Sequence, residues 1–210
     1  MTKERHLSCR LYFCVSWWYN WIIIIEKRGA KMGLVKEKVT RATKGKVKEL
    51  YKTAFPKEER LPWWIMKLFC KRKNADVAVY MDGDKFCGFT HIYETEKMAF
   101  VLYLAVNGEE RGKGYGSQIL DILKSAYVDK AIVLNIEPID ENAPNAEQRK
   151  SRLRFYNRNG FFDTGYLVED VGGMFTAMSN VKDFSPKEYQ RLFKALSFNF
   201  WKAKVIKKDI

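Results

Sequence analysis

The sequence is poor in the residues from which metal and redox sites are built. It has two histidines, His6 and His91, and four cysteines, Cys9, Cys14, Cys70 and Cys87. Their spacing fits neither a zinc knuckle nor a Cys-x-x-Cys pair, so no metal is expected. The cysteine usage points to a reducing compartment, taken as the cytoplasm. Proline is also scarce, with five in 210 residues, while 47% of the chain is apolar and 15% aromatic. That balance excludes general disorder and suits one substantial domain with extensions. The apolar stretch at 11–25 holds Trp17, Trp18, Trp21 and four consecutive isoleucines, but Ser16 and Asn20 interrupt it. It falls short of the roughly 20 residues that cross a bilayer, and no small-residue cleavage site follows. Three readings stand for it: an element packed on the domain, a membrane-surface anchor with basic flanks, or an extension upstream of a start at Met32. The third is favoured, and membrane contact through 11–25 is not.

An acidic excess is absent too. The formal charge is +13, but residues 51–181 hold 18 basic and 18 acidic side chains. The basicity lies in residues 1–50, with a balance of +8, and in 182–210, with +5. A nucleic-acid surface therefore finds no support in the middle of the chain. The expected organisation is an apolar and basic extension over 1–31, a domain over 32–181, and a basic C-terminal helical extension over 182–210, packed on or beside the domain.

Periodicity supplies the elements. Residues 34–40 suit a strand. Val47, Leu50, Tyr51 and Ala54 recur at helical spacing from Lys44, and Pro56 ends that helix. A second helix is expected from about Lys57, disturbed by Pro62 and closed by Lys71-Arg72-Lys73. Residues 76–81 and 85–93 form strands around the turn Asp82-Gly83-Asp84. Residues 98–106 are apolar with no clear alternation, as in a strand buried on both faces. A helix over 117–128, a strand over 131–136 and a helix over 145–157 follow. Asn159-Gly160 stops the last of these, and extended structure resumes at Phe161. Residues 168–178 form a hairpin or a bulged strand at Gly172-Gly173, and a helix covers 186–200. The order β-α-α-β-β-β-α-β-α-β-β, with an added helix, describes an α/β domain with a mixed central sheet flanked by helices.

Arg111-Gly112-Lys113-Gly114-Tyr115-Gly116 carries the strongest chemical signal. Glycine at every second position is poor material inside a strand or helix. At a strand-to-helix junction it serves either as a tight turn or as a cradle whose amides, at the positive end of a helix, hold a phosphate or pyrophosphate. The spacing misses the dinucleotide pattern Gly-x-Gly-x-x-Gly, and the Walker A lysine and hydroxyl are missing.

With this hexamer after an apolar strand, and Leu153-Arg154-Phe155-Tyr156…Gly160-Phe161 about 40 residues on, the chain resembles the GCN5-related N-acetyltransferase (GNAT) superfamily over roughly 34–180. The family signature is Gln/Arg-x-x-Gly-x-Gly/Ala between the fourth strand and third helix. The resemblance implies the GNAT fold and transfer of an acyl group, normally acetyl, from acetyl-coenzyme A to a primary amine. Backbone amides of Arg111, Gly112, Lys113, Gly114, Tyr115 and Gly116 would receive the pyrophosphate. The Arg111 side chain and Ser117 would assist, and the strand edge Leu104, Ala105 and Val106 would face the pantetheine arm. Tyr156 matches the family's usual proton donor to the coenzyme sulfur.

The residue that takes the amine proton is open: Glu59 and Glu137 rank first, with Glu58, Glu94 and Glu96 behind. Asn142 and Asn145 contact the coenzyme or cap a helix. Pro62, Trp63, Trp64 and Met66 are read either as an apolar acceptor wall or as cover for the sheet. A small-molecule amine is preferred as acceptor over a protein N-terminus or lysine. A non-catalytic acyl-coenzyme A-binding domain is the alternative, and a homodimer is compatible with either.

Overall fold

The computed structural model describes residues 33–57, 60–170, 173–197 and 203–208. The 11–25 stretch and Glu58-Glu59 thus lie outside the described residues. One compact unit spans Leu34–Ile210.

The chain runs β1 (Val35–Lys38), α1 (Arg41–Ala54), α2 (Trp63–Phe69), β2 (Ala75–Asp82), β3 (Lys85–Glu94), β4 (Met98–Val106), α3 (Tyr115–Ala126), β5 (Ala131–Ile136), α4 (Ala146–Arg158), β6 (Phe162–Asp170), β7 (Gly173–Ser179), α5 (Pro186–Leu196) and β8 (Lys204–Lys207). The strands form one sheet in the order β1-β2-β3-β4-β5-β7-β6-β8. Only β4 and β5 pair in parallel, so the sheet is mixed, as expected.

Local chemistry explains the boundaries. Helix α1 starts three residues before Lys44 because Thr40 caps it: its hydroxyl accepts from Thr43 N at 3.3 Å, and Thr43 Oγ1 accepts from Thr40 N at 2.9 Å. Helix α2 begins at Trp63, not near Lys57, since the residue before Pro62 is barred from helical geometry and the helix can start only after it. Ser185 caps α5 with Pro186 in its first turn. Strand β6 starts at Phe162, where extended structure was expected to resume, and pairs antiparallel with β7 as far as Asp170↔Gly173. Strand β8 has no counterpart among the sequence expectations for 182–210. It pairs antiparallel with β6 from Tyr166↔Lys207 to Glu169↔Lys204.

Apolar residues pack on both faces of the sheet. On one face α3 and α4 bury Ile119, Leu120, Leu123 and Tyr156 over Ala99, Val101, Ile132 and Leu134. On the other, α5 buries Tyr189, Leu192, Phe193 and Leu196 over Phe100, Val133 and Ala177. Helix α1 covers Phe89, Tyr103 and Ala105 beside it.

The feature that positions the site is a bulge in β4. His91 opposes Tyr103 and Ile92 opposes Val101, so Leu102 is the extra residue. A bulge bends its strand and shifts side-chain parity by one. Ala99 and Val101 therefore face α3 and α4, whereas Tyr103 and Ala105 face α1. This is why 98–106 shows no alternation: two half-strands of opposite phase are joined at Leu102.

Candidate active site

Beyond the bulge, β4 and β5 part. Their pairing runs from Met98↔Ala131 to Val101↔Leu134 and stops. Strand β4 continues to Val106 along β3, while β5 continues to Ile136 along β7. The wedge between them leaves the β4 backbone from Leu102 onward without a strand on its β5 side. A cavity of about 920 Å³ fills the wedge. Because the opening pierces the sheet, this cavity is walled from both faces. Arg111, Gly112, Gln148, Ser151, Arg152, Phe155 and Tyr156 line it from the α3 and α4 side, and Phe55, Leu61, Tyr103, Phe193 and Leu196 from the α1 and α5 side. Leu104, Ala105 and Val106 line it from β4.

The glycine hexamer links β4 to α3 through a short 3-10 turn, Gly108–Glu110. Gly112 and Gly114 take φ of 78° and 83°, values that favour glycine. Gly114 is the N-cap of α3 and brings no side chain to cap it. The first helical bond is Gln118 N to Gly114 O at 3.2 Å, so the amides of Tyr115, Gly116 and Ser117 precede it and are placed to bind an anion. A Cβ on Gly116 would lie 3.0 Å from the Phe155 ring, so glycine there lets α3 and α4 approach closely. Tyr115 offers its backbone alone: its ring is buried and its hydroxyl donates to Asp82 Oδ2 at 2.6 Å, fixing the loop to the β2–β3 turn. Lys113 pairs with Glu110 at 2.9 Å. The hexamer and the unpaired β4 edge fit a ligand with a pyrophosphate joined to an extended, amide-bearing arm, which is the shape of coenzyme A.

Tyr156 sits on α4 where that helix faces the wedge. It is 9% exposed, and its ring packs against Phe155 and Phe161 at 5.1 and 6.0 Å between centroids. Burial raises its hydroxyl to about 12, with the Arg152 charge pulling the other way. The phenol is therefore protonated throughout the neutral range, the state a proton donor requires.

The carboxylate expectations fare differently. Glu137 does not line the wedge. It borders a smaller recess of about 350 Å³ with Asp163, Thr176 and Lys208. Both of its oxygens are engaged: Arg152 at 2.5 Å on Oε2, and Asn145 Nδ2 at 2.9 Å and Arg149 at 3.2 Å on Oε1. Burial acts to raise this carboxyl, but the Asn145 hydrogen bond and the arginine charges outweigh it and hold it below the usual range. A stabilised, fully partnered carboxylate is a poor proton acceptor, and these partners favour an ion-pair anchor for α4 over the expected base.

Asn145 stands at the N-cap of α4 without a side-chain cap bond; its amide donates to Glu137 and its Oδ1 accepts from Arg149 Nε at 2.8 Å. Glu59 lies outside the described residues. Glu94 pairs with Lys130.

Of the expected wall residues, Pro62, Trp63, Trp64 and Met66, none lines the wedge. Trp64 is 66% exposed, and Met66 is buried against His91. The wall around the wedge comes from Phe55, Leu61 and the α5 residues. Sequence reading missed Asn135, Asp170, Phe175 and Phe193, all of which line the wedge. Each looks like ordinary strand or helix material, and the only cue was a polar Asn135 within the apolar β5.

Residues 73–162 match the family model described as the acetyltransferase (GNAT) domain. Over that stretch the chain is similar to GNAT domains. Among curated proteins, YjbC of Bacillus subtilis (strain 168), provisionally named an acetyltransferase, is 40% identical over 68 residues, which are 32% of this chain and 33% of that protein. The match thus spans about a third of the curated relative's length. Among solved structures, a GNAT-family protein of Bacteroides thetaiotaomicron superposes with a TM-score of 0.64 at 23% identity, covering 79% of this chain and 98% of that one. An aminoglycoside 6'-N-acetyltransferase complexed with coenzyme A gives 0.56 at 14% identity, covering 74% and 99%. Spermidine N-acetyltransferase from Vibrio cholerae, complexed with coenzyme A and spermine, gives 0.53 at 15% identity, covering 70% and 94%. At these identities the structural likeness establishes the fold, which is shared with proteins whose structures hold coenzyme A.

Proposed function

We propose that the protein is an acyl-coenzyme A-dependent N-acyltransferase that moves an acetyl group from acetyl-coenzyme A to a primary amine of a small molecule. One observation carries this reading: the β4–β5 wedge is a single cavity lined from both faces of the sheet, with the glycine hexamer on one side and an apolar lobe on the other. Donor and acceptor can thus approach each other through the sheet and react without a covalent enzyme intermediate, with positioning supplying much of the rate. The GNAT match over 73–162 and the coenzyme A complexes of proteins with this fold support the donor assignment.

In this reading the amides of the first turn of α3 hold the pyrophosphate, and Arg111 adds a charge-assisted contact. The unpaired backbone of Leu104, Ala105 and Val106 aligns the arm that bears the thioester. The amine loses one proton to solvent, and its nitrogen lone pair forms the new bond to the carbonyl carbon as the carbon–sulfur bond breaks. Tyr156 gives its phenolic proton to the departing sulfur. The second proton of the amine, released as the amide forms, returns through water to Tyr156. The products are the N-acetyl amine and free coenzyme A thiol. Aromatic packing around Tyr156 excludes bulk water and keeps its proton in place.

The test has two arms. Saturating acetyl-coenzyme A is expected to raise the melting temperature, and an amine panel is expected to release coenzyme A thiol. An unchanged melting temperature refutes the donor site. Stabilisation without thiol release from any amine would instead make the protein a non-catalytic acyl-coenzyme A-binding domain.

A further inference from the structure

Resting on the acyl-transfer reading of the wedge, we propose that Arg152 is a positioning residue for the proton donor: aimed by Glu137, its guanidinium steadies the phenolate that Tyr156 becomes when its proton passes to the departing sulfur. The geometry begins on α4. Arg152 and Tyr156 stand one turn apart on that helix, at the spacing that sets two side chains on the same face. Both line the wedge. Arg152 also reaches the other way: its Nη1 meets Glu137 Oε2 at 2.5 Å, and Glu137 borders the smaller recess. The other oxygen of Glu137 takes Asn145 Nδ2 at 2.9 Å and Arg149 at 3.2 Å at the start of α4. A carboxylate fixed from that side confines the long Arg152 side chain, whose rotamer freedom would otherwise spread its charge over many positions.

Tyr156 needs such a neighbour. Its ring lies in the apolar cluster of Ile119, Leu120, Leu134 and Phe161. An anion among such groups is costly unless a cation stands near. Burial pushes the phenol up to about 12, and the charge that works against burial is that of Arg152. Arg111 and Arg158 line the wedge too. Among the described residues, however, neither acts on the phenol, and no hydrogen bond to its hydroxyl shares the task.

The step sets the demand. As the carbon–sulfur bond breaks, the sulfur takes the phenolic proton and the electron pair of the O–H bond stays on oxygen. The phenolate lasts until the proton released by the new amide returns through water. Over that interval an oxyanion sits beside aromatic rings, and Arg152 is a cation already in place one helical turn away. A charge that is fixed beforehand lowers a barrier without reorganising at the moment of reaction. The guanidinium keeps its own protons throughout, since it is never the stronger acid of the pair. Glu137 thus serves the reaction at one remove, by aiming Arg152.

The experiment is a double-mutant cycle on kcat for thiol release, run with acetyl-coenzyme A and the amine of the panel that reacts fastest. Arg152→Gln is expected to lower kcat about tenfold, the low end of what one partly exposed charge beside an ionising group supplies. Arg152→Lys keeps the charge and is expected to recover part of that loss. In the Tyr156→Phe background, Arg152→Gln is expected to change kcat by less than about twofold, because the group it acts through is gone. A merely structural Arg152 would lower kcat alike in both backgrounds. Retained stabilisation by acetyl-coenzyme A shows that each variant is folded with its donor site intact. Equal losses in the two backgrounds, unchanged kcat in Arg152→Gln, or unchanged kcat in Tyr156→Phe overturns this inference while the acyltransferase reading stands. Lost stabilisation in Arg152→Gln with a native circular dichroism spectrum makes Arg152 a coenzyme contact and overturns it as well. No thiol release by the wild type with any amine overturns both.

Discussion

The two sides of the wedge are built from different materials. The proposed donor side is backbone: two left-handed glycines, the uncapped first turn of α3 and the unpaired edge of β4. The proposed acceptor side is side chains, brought from the end of α1, from β5, from β6 and β7 and from α5. A site made of backbone imposes a local rule on its sequence, because only glycine tolerates φ near +80° and close approach at the same turn. A site made of side chains from four separate segments imposes no local rule. The first kind is therefore written as a motif and the second is not.

That contrast can be broken experimentally, and the largest effect is expected on the donor side. Gly114 holds φ at 83° with open space around it, so Gly114→Asp strains the turn and puts a negative charge where an anion is to bind. Loss of the melting-temperature rise with acetyl-coenzyme A is expected, with a native circular dichroism spectrum. A variant still stabilised by the coenzyme removes the hexamer from the donor site.

Next is Tyr156→Phe, for which turnover is expected to fall about 100-fold, within the usual range for a lost acid, with coenzyme affinity little changed. Unaltered kcat denies Tyr156 its role.

A third test addresses the acceptor face alone. His91 is fully buried on β3, opposite Tyr103. Burial lowers its pKa to about 4, with Asp76 acting weakly the other way. Its folded pKa is depressed, so its stabilising contribution is present above about pH 6.5 and is lost as pH falls toward 4, a span of about 3 kcal/mol. Urea midpoints across this window are expected to fall with pH in the wild type and to fall less in His91→Gln. Parallel slopes for the two proteins refute it.

Smaller again is Glu137→Gln. If Glu137 is an ion-pair anchor, activity is expected to drop less than tenfold, with a loss of about 1–2 kcal/mol of stability. A drop beyond about 100-fold restores it as a general base. Last, Trp64→Ser on the exposed side of α2 is expected to change amine KM and stability negligibly, within about 0.5 kcal/mol. A clear rise in KM would return the acceptor wall to α2.

Legibility followed the same division. Strands β4 and β5 have the expected bounds because each is apolar and ends at a turn or glycine signal. The hexamer and Tyr156 were readable because a backbone requirement and a helix-end pattern mark them. Strand β8 was not, since Lys-Val-Ile-Lys is too short to show a period and its reason for being extended is a partner, β6, far away in sequence. Asn135 and Asp170 look like incidental polar residues until pairing shows where β4 leaves β5. Glu137 stood out for its position after β5. Only the three-dimensional placement of Arg149, Arg152 and Asn145 around it shows that its charge is already spent.

The extra residue at Leu102 has a further consequence. Side chains along a strand alternate with a period of two, so phase is a binary quantity with no intermediate value. Deleting Leu102 would not narrow the passage by degrees. It would remove the bend and let β4 run on beside β5 as a regular strand, with Tyr103 and Ala105 still toward α1 and Leu104 and Val106 still toward α3. The aperture between the two compartments is in this sense digital: one amino acid sets it open, and sequence drift elsewhere in the strand can reshape its rim but cannot half-close it.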